Sequence, residues 1–457
     1  MPDHQSLHDI SRSLRLSRAA ERIALLRISP AKLLLIGYSS YILLGWILLS
    51  LPVSQAVPVG ALDNLFIATS AVSTTGLVSV DPGSSYTFLG EVVIMGLIQI
   101  GGLGYMTLGS FVVLSLTNGL SSARTKATRN VFNLPESISP RSFILAVVIF
   151  TFLCEAIGAA LLYPMFVAEG VEAPLWSAIF HSVSAFCTAG FSLNATSFEA
   201  FRGHVGINVT IAALSILGAM GFLIVVDGWR TVTGKASHLG FSSKVIARIT
   251  FAFLAGGTVL FFVIEPSIQD LEPSERLLAA FFQVMTASAT VGFNTHPISA
   301  LSSAVLIVLF FLMIVGASPA GTGGGLKTTS FAALVALVRS TLKGRDRVRF
   351  FKREIPPGRL QNATASVSYY AVVAMVAAFL LFLTEPQGAF DVVLFEVLSA
   401  MGTVGLSMGL TGELSDLGKV IVIILMTAGR IGILTFGIAI SAHDESREEE
   451  SDNELVL

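Results

Sequence analysis

Four stretches of the sequence end in the same pattern: SAVSTTGL at 70–77, SAFCTAGF at 184–191, TASATVGF at 286–293 and SAMGTVGL at 399–406. The common form is Ser/Thr-Ala-x-x-Thr-x-Gly-Leu/Phe. The shared glycines are Gly76, Gly190, Gly292 and Gly405, separated by 114, 102 and 113 residues. One Thr-x-Gly is a common accident, but four at matching positions indicate four copies of a single unit.

The composition places these units in a membrane. Of 457 residues, 53% are hydrophobic and 13% charged, with a mean hydropathy of +0.78, whereas soluble domains carry about 25% charged residues. This excludes a soluble globular protein. A net charge of −2 gives no sign of a nucleic-acid partner, and the two cysteines, Cys154 and Cys187, are too few for a disulfide framework or a zinc site.

Apolar runs long enough to cross a bilayer as a helix, about 20 residues, predict eight spans. They lie near 31–51, 88–116, 142–166, 205–228, 245–264, 300–340, 363–384 and 417–442. Shorter semi-apolar stretches at 61–74, 174–188, 275–290 and 389–403 predict re-entrant half-helices. The predicted fold is an all-α membrane protein in which four parallel span–half-helix–loop–span repeats surround one central pore.

The distribution of charge predicts the orientation. Of the 28 Lys and Arg, 23 fall on one side of the predicted spans, which we assign to the cytoplasm together with both termini. The opposite side has fifteen Asp and Glu and would attract cations. The domains predicted on this basis are a basic segment 1–30 without a cleaved signal peptide, repeats at 31–116, 142–228, 245–342 and 361–442, and an acidic tail 443–457.

The shared pattern suits a dehydrated cation. Backbone carbonyls replace an ion's hydration shell when several extended segments converge on one axis, glycine supplies the positive φ that such a loop needs, and the carbonyl end of a half-helix favours a cation. The alternative is that the glycines only allow close helix packing. The predicted filter residues are Thr74, Thr75, Gly76, Thr188, Ala189, Gly190, Thr290, Val291, Gly292, Thr403, Val404 and Gly405.

The sixth span is interrupted by GASPAGTGGGLKTTS, from Gly316 to Ser330. One Pro and five Gly in fifteen residues predict a break into two helices joined by an irregular segment. The string superficially resembles a phosphate-binding loop, but Leu326 separates the last Gly from Lys327 and no strand precedes it, so we reject nucleotide binding. A purely structural kink is the alternative to a functional segment.

Three charged residues lie inside or at the edge of predicted spans. Arg430, in TAGRIG, should face the protein interior and pair there, because an unpaired charge at this depth is costly. Glu155 is a candidate for capping a half-helix or pairing with a base, and Asp227 for anchoring the inner end of the fourth span beside Arg230. For His181, Ser182 and Gln99, helix packing is the favoured interpretation.

These motifs resemble the Trk/Ktr/HKT superfamily of potassium transporters, and most of all the KtrB membrane subunits of Ktr systems. The resemblance covers about residues 31–442 and rests on TTGL, TAGF, TVGF, TVGL, GASPAGTGGGLKT and TAGRIG. It implies a cell-membrane protein that takes up K⁺ and is not an enzyme. Plant members that transport sodium have Ser in the first repeat, so Gly76 favours potassium.

The resemblance also implies roles for residues and partners. It makes the broken sixth span a gating loop below the filter and places Arg430 near it. The alternative for Arg430 is a purely structural role in which it bonds carbonyls freed by the broken span. The gating loop would comprise Gly316, Ala317, Ser318, Pro319, Ala320, Gly321, Thr322, Gly323, Gly324, Gly325 and Lys327. The implied partners are a second copy of the chain, membrane lipid and a cytoplasmic nucleotide-binding ring of the KtrA/TrkA type. No bound cofactor is implied beyond K⁺ as substrate, with Na⁺ as a candidate activator.

Two other function classes are alternatives to a potassium-conducting pore. An alternating-access secondary cation transporter would be built from inverted or paired repeats around a midplane site, whereas these repeats all start on the same side. A membrane enzyme would need clustered His, Asp or Cys, and the seven His are scattered. The sequence leaves open the coupling ion, the rate and affinity, the oligomeric state, the identity of the regulator and the roles of Glu155 and Asp227.

Overall fold

The computed structural model of the chain describes residues 30–104, 107, 139–234, 238–351 and 353–441. The predictions for the basic segment before residue 30, for most of 105–138 and for the acidic tail lie outside the described residues. The described part is predominantly helical, in agreement with the predicted class, and contains seventeen α-helices.

We number the helices in chain order and group them by sequence repeat. The first repeat contains α1 (Pro30–Leu49), α2 (Ala61–Ser73), α3 (Pro82–Ser85) and α4 (Phe88–Leu103). The second contains α5 (Pro140–Ala168), α6 (Pro174–Phe186), α7 (Val205–Ala219) and α8 (Phe222–Val232). The third contains α9 (Phe241–Ile264), α10 (Pro273–Ser288), α11 (Ser303–Ile314) and α12 (Thr328–Thr341). The fourth contains α13 (Pro357–Thr384), α14 (Phe390–Gly402), α15 (Leu410–Glu413), α16 (Asp416–Ile431) and α17 (Ile433–Ile440).

Each repeat packs in the same way. The short helix that leads into the shared pattern (α2, α6, α10 or α14) lies against the long helix before it and the long helix after it. The second long helix also contacts the short helix of the next repeat: α4 contacts α6, α7 contacts α10, α11 contacts α14, and α16 contacts α2. The contacts therefore run in cyclic order through the four repeats and return to the first.

The short helices form the interior, and the long helices expose apolar side chains. Ten residues before each shared glycine stands a phenylalanine that is at most 1% exposed: Phe66, Phe180, Phe282 and Phe395. On the long helices, large apolar residues face outward, for example Phe251 (72% exposed) and Met375 (75%). A surface of this kind is suited to lipid rather than water.

The second long helices are broken or short. The pairs α7/α8 and α16/α17 bend by 94° and 106° at breaks around Gly221 and Gly432, which have φ of +89° and +95°. The continuous spans predicted at 205–228 and 417–442 are thus bent, because only glycine adopts these φ values without strain. The break predicted in the sixth span lies between α11 and α12, where residues 315–327 are irregular.

Membrane crossing can be judged from helix length and hydropathy. Four single helices are long and apolar enough, at 31–49, 141–168, 241–264 and 357–384, and the two bent pairs raise the number to six within the described residues. Helices α4 and α11 are apolar but shorter. The eight spans remain a prediction.

Two carboxylates link neighbouring long helices in the third and fourth repeats. Glu265 accepts hydrogen bonds from the N–H (3.0 Å) and hydroxyl (2.9 Å) of Ser302, just before α11. Glu385 accepts the same pair from Ser415, at 3.0 and 2.6 Å, just before α16. Burial by itself would raise the pKa of Glu265, but the hydrogen bonds from Ser267 and Ser302 outweigh it and lower that pKa below its usual value.

One small hairpin departs from the all-α prediction. Strands β1 (Arg349–Phe350) and β2 (Arg353–Glu354) pair antiparallel, with Arg349 opposite Glu354. The Arg248 guanidinium lies 4.5 Å from the ring centre of Phe351, and that of Arg353 lies 5.1 Å from that of Phe241. These cation–π contacts hold the hairpin against α9.

Candidate functional site

The four Thr-x-Gly triplets share one backbone conformation. Their threonines are left-handed, with φ of 52°, 51°, 52° and 48° at Thr74, Thr188, Thr290 and Thr403. Their glycines also have positive φ, of 92°, 66°, 99° and 88° at Gly76, Gly190, Gly292 and Gly405. The repeated sequence pattern therefore corresponds to a repeated local structure in which glycine meets a steric requirement.

The four glycines converge around one axis. A Cβ built on Gly190 would lie 2.8 Å from the Cα of Gly292, and one built on Gly405 would lie 3.0 Å from the Cα of Gly76. The corresponding distance is 3.2 Å both from Gly76 to Gly190 and from Gly292 to Gly405. The backbones thus approach one another in the cyclic order of the repeats, and no side chain fits between them.

The carbonyl oxygens of the triplets are without donors. In the part of the chain that the structure describes, none of these twelve oxygens accepts a hydrogen bond, although every triplet residue is buried except the half-buried Gly405. Buried carbonyls are normally paired. Backbone carbonyls without donors are the chemical groups with which an ion filter replaces a cation's hydration shell, so this set is the candidate filter.

The first residue of the shared pattern orients each triplet. The hydroxyls of Ser70, Thr286 and Ser399 accept hydrogen bonds from the N–H groups of Gly76 (3.1 Å), Gly292 (3.0 Å) and Gly405 (3.1 Å). In the second repeat the hydroxyl of Ser184 instead donates to the carbonyl of Phe191 at 2.8 Å. The backbone carbonyls of the same four residues accept the N–H of the middle triplet residue at 2.8–2.9 Å.

Through these bonds the first residue of each pattern, which lies in the short helix, accepts backbone N–H groups of the triplet. We call the four residues Ser70, Ser184, Thr286 and Ser399 the hydroxyl latches. The filter residues predicted from the sequence do not include these four. The sequence does contain a signal for them, because Ser or Thr stands at the first position of all four patterns.

The irregular segment 315–327 lies against the triplet threonines. The Thr74 hydroxyl donates to the Thr322 carbonyl (3.3 Å), the Thr188 hydroxyl donates to the Thr322 hydroxyl (3.1 Å), and the N–H of Gly324 donates to the Thr403 hydroxyl (3.0 Å). Thr290 is also adjacent, because a Cβ on Gly316 would lie 3.1 Å from its methyl carbon. The segment therefore covers the threonine end of all four triplets.

The same segment is bound to the bend in the second repeat. The N–H of Ser318 donates to the Ala219 carbonyl at 3.0 Å, and the N–H of Phe222 donates to the Ala320 carbonyl at 2.9 Å. The N–H of Thr322 donates to the carbonyl of Gly218 at 3.1 Å. The break between α7 and α8 thus satisfies its exposed backbone groups through the segment, which explains why one glycine bends this helix so sharply.

Two cationic side chains also bind the segment. The Lys327 ammonium donates to the carbonyls of Gly323 (2.7 Å) and Gly324 (3.3 Å). The Arg430 guanidinium donates to the carbonyl of Thr322 and to that of Gly101, at the end of α4. Arg430 therefore lies beside the candidate filter and also bonds a carbonyl of the broken span.

Glu155 and Asp227 lie outside the triplets. Glu155 contacts the thiol of Cys187, whose Sγ is 3.7 Å from Oε1 of Glu155. Glu155 therefore lies next to the residue that precedes the second triplet. One carboxylate oxygen of Asp227 accepts hydrogen bonds from the N–H of Gly240 (2.5 Å) and the hydroxyl of Ser243 (2.8 Å). Asp227 thus anchors α8 to the start of α9.

Comparison with known families gives one match over most of the chain. The sequence profile described as TrkH, cation transport protein, matches residues 40–451. Among solved structures, the potassium transporter TrkH from Vibrio parahaemolyticus superposes with a TM-score of 0.66 over 89% of this chain and 84% of that one, at 19% identity. This likeness shows a shared fold.

Individual relatives are more similar in sequence. The Ktr system potassium uptake protein B of Vibrio alginolyticus is 36% identical over 409 residues, which is 88% of this chain and 90% of the relative. The protein of the same name from Bacillus subtilis is 33% identical and covers 94% of this chain and 97% of its own length. The potassium/sodium uptake protein NtpJ of Enterococcus hirae has the same identity and coverage.

Proposed function

Because the chain belongs to the TrkH family of cation transport proteins, we propose that it is the potassium-translocating subunit of a Ktr-type uptake system. The observation that carries this proposal is the set of twelve triplet carbonyls that accept no hydrogen bond within the described residues, where four glycines meet. Such oxygens compensate a partly dehydrated monovalent cation. The names of the relatives from Vibrio alginolyticus and Bacillus subtilis supply the identity of the ion, K⁺, and the name of the Enterococcus hirae relative includes both potassium and sodium.

The proposed architecture is a central pore. This multi-pass membrane protein would cross the cell membrane eight times, with four parallel repeats, four re-entrant loops and both termini in the cytoplasm. The cyclic contacts between consecutive repeats support a single axis. The predominance of cations on one side of the spans supports the orientation.

The segment 315–327 is proposed to gate this pore from below the filter. Its hydrogen bonds to Thr74, Thr188 and Thr403 support this role, because they hold it against the end of the triplets from which an ion would leave. Lys327 and Arg430 would repel a cation on that path, and in this conformation both charges are directed to carbonyls of the segment. A displaced segment would therefore change both the width and the electrostatics of the exit.

Potassium uptake is the first prediction to test. A bacterium that lacks its own potassium uptake systems should grow at limiting K⁺ when it expresses this chain, and purified protein in vesicles should conduct K⁺ in preference to Na⁺. Addition of Na⁺ in the same vesicles tests its proposed role as an activator. Normal membrane insertion without any K⁺ flux in cells or vesicles would contradict the proposal.

The proposed assembly is a homodimer regulated by another chain. We infer a cytoplasmic nucleotide-binding ring of the KtrA/TrkA type as the partner, with membrane lipid as the surroundings. The loop between α12 and α13 is the candidate docking element, because it continues the helix that leaves the gating segment. In this loop Arg345 and Arg347 precede the hairpin and Arg349 lies in β1, and all three are exposed. Movement of α12 by a partner would reach the gating segment directly.

Neutralising Arg345, Arg347 and Arg349 together as glutamine should weaken binding of the ring by about tenfold, if each exposed pair contributes ~0.5 kcal/mol. The expected result is reduced co-purification of the ring and a smaller nucleotide response of K⁺ flux. Neutralising Arg141, Lys244 and Arg359, which are exposed and lie outside the loop between α12 and α13, removes the same charge as a control. If the two triple variants behave like the parent, the loop serves only membrane topology and lipid contact.

A further inference from the structure

A second shared position lies nine residues before each glycine. It is occupied by Ile67, His181, Gln283 and Glu396 in the four repeats, and all four side chains have 0% exposure. The position is one helical turn before the hydroxyl latch, so both side chains lie on one face of the short helix. Three of the four repeats thus bury a polar or ionisable group where the first repeat has an ordinary core residue.

Glu396 binds the chain that leaves the fourth triplet. Its Oε2 accepts a hydrogen bond from the hydroxyl of Ser407 (2.9 Å), two residues after Gly405, and its Oε1 accepts one from the hydroxyl of Thr411 (2.5 Å). The Ser407 hydroxyl in turn accepts the N–H of Gly409 at 3.1 Å. The carboxylate therefore ties α14 to the segment that follows the glycine.

Gln283 makes the equivalent connection in the third repeat. Its amide nitrogen donates to the carbonyl of His296 at 2.6 Å, four residues after Gly292. The ring of His296 is itself held by the hydroxyl of Ser267, 2.9 Å from Nε2. The side chain is an amide donor where the fourth repeat has a carboxyl acceptor, but both hold the segment that follows the glycine.

His181 makes the connection in the second repeat. Its Nδ1 lies 2.8 Å from the carbonyl of Ser177, which can only accept, so Nδ1 carries the proton. Its Nε2 then accepts the N–H of Leu193 (3.3 Å) and lies 3.0 Å from the hydroxyl of Ser192, three and two residues after Gly190. Both ring nitrogens of the neutral imidazole therefore take part in hydrogen bonds, and these bonds connect α6 to the segment that follows Gly190.

We propose that His181, Gln283 and Glu396 are positioning residues that fix the outer half of the ion filter and so set its preference among monovalent cations. Three of the hydroxyl latches bond the N–H of their glycine, and the fourth, Ser184, bonds the carbonyl of the residue after Gly190. The three polar residues hold the chain just beyond the glycine of their own repeat. This inference rests on the proposed function, because it assigns these residues to the filter of that function.

A purely structural role would not require polar side chains. Ile67 shows that an apolar residue fills the same fully buried position in the first repeat. A buried polar group is costly unless it is hydrogen-bonded, and in each of three repeats the partners include the segment after the glycine. The chemistry of the side chain differs among the three repeats while the connection is preserved, so the connection is the common property.

The test compares ion preference with protein amount. Glu396→Leu, Gln283→Leu and His181→Leu each remove a connection, and Ser407→Ala combined with Thr411→Val removes the same connection as Glu396→Leu without altering α14. We expect the KM for K⁺ to rise about threefold to tenfold, the effect of losing one or two buried hydrogen bonds, together with a lower preference for K⁺ over Na⁺. The amount of protein in the membrane should stay near that of the parent.

Two further variants separate positioning from packing. Glu396→Gln keeps the length and one acceptor oxygen and should recover much of the parent's KM, whereas Ile67→Leu, at the equivalent position of the first repeat, should leave KM and preference unchanged. Unchanged KM and preference in the Leu variants and in the Ser407→Ala/Thr411→Val variant would overturn the inference. A loss that affects only the amount of protein would do the same. If Glu396→Leu does not insert, the Ser407→Ala/Thr411→Val variant decides.

Failure of the proposed function would be visible separately. It would appear as absent K⁺ uptake in the parent itself, whereas failure of this inference appears only in the difference between variant and parent. The same comparison is then made with whichever cation the parent conducts.

Discussion

Replacing Gly405 by serine is expected to weaken K⁺ affinity or selectivity strongly while leaving membrane insertion intact. Gly405 has φ of +88°, and a Cβ there would lie 3.0 Å from the Cα of Gly76 and closer still to the carbonyl oxygen of Thr75. The left-handed conformation costs a non-glycine residue about 1–2 kcal/mol, and the overlap forces the backbone to move. Because the displaced atoms are the proposed ion ligands, K⁺ affinity or selectivity should fall by at least about tenfold.

The same substitution at the other three glycines should act in the same direction. Gly190 is the most crowded toward its neighbour, since its Cβ would approach the Cα of Gly292 to 2.8 Å, against 3.2 Å for Gly76 and Gly292. Gly190→Ser and Gly405→Ser should therefore be the most severe. The measurements are K⁺ and Na⁺ uptake, normalised to the amount of protein in the membrane.

Gly96→Ser is the matched control. Gly96 lies within α4, and no atom lies within 4 Å of a Cβ built on it, so the serine should have little effect on uptake. If all four Gly→Ser variants keep the uptake rate and ion preference of the parent protein, the assignment of these glycines to the filter is wrong. Their role would then be close helix packing.

The short helices and the loops of the four triplets were predictable because the sequence signal for them is local and repeated. The short helices observed at Ala61–Ser73, Pro174–Phe186, Pro273–Ser288 and Phe390–Gly402 coincide within two residues with the semi-apolar stretches of the sequence. The triplets that follow converge as the pattern predicts. Four weak signals at equivalent positions reinforce one another, whereas each alone would be ambiguous between a loop and a packing motif.

The bends and the polar connections depended on partners that the sequence does not reveal. Gly221 lies in an apolar run that is compatible with a continuous helix, and its bend requires the Ala320 carbonyl, contributed by the next repeat. Glu396 and His181 bond residues 11 to 15 positions later in the chain. The sequence of those segments has no hydrophobic periodicity from which their course could be predicted. From the sequence alone, a single buried polar residue is therefore interpreted as helix packing. Its hydrogen bonds become visible only when the structure gives the position of the segment that follows the glycine.

Deleting Ala317 to Thr322 is expected to increase K⁺ flux by about tenfold or more, the change produced by removing ~1.4 kcal/mol of stabilisation from a blocked state. The deletion removes the hydrogen bonds of Thr322 to Phe186 and Thr188, those of Ser318 and Thr322 to α7, and the carbonyl that binds Arg430. The segment's ends already meet, because Val315 and Leu326 form a parallel bridge. A shorter loop can therefore close without displacing α11 or α12.

The control for this deletion keeps the length of the segment and removes only side-chain bonds. Ser318→Ala combined with Thr322→Val retains every backbone group, including the N–H of Thr322 that bonds Gly218 and the carbonyl that Arg430 contacts. It should raise flux much less than the deletion, because the backbone still covers the threonine ends of the triplets. Flux is measured in vesicles at matched protein amount, with and without the regulatory ring. If the deletion variant inserts normally and conducts no faster than the parent, the segment is a structural kink, and Lys327 and Arg430 serve only to satisfy its carbonyls.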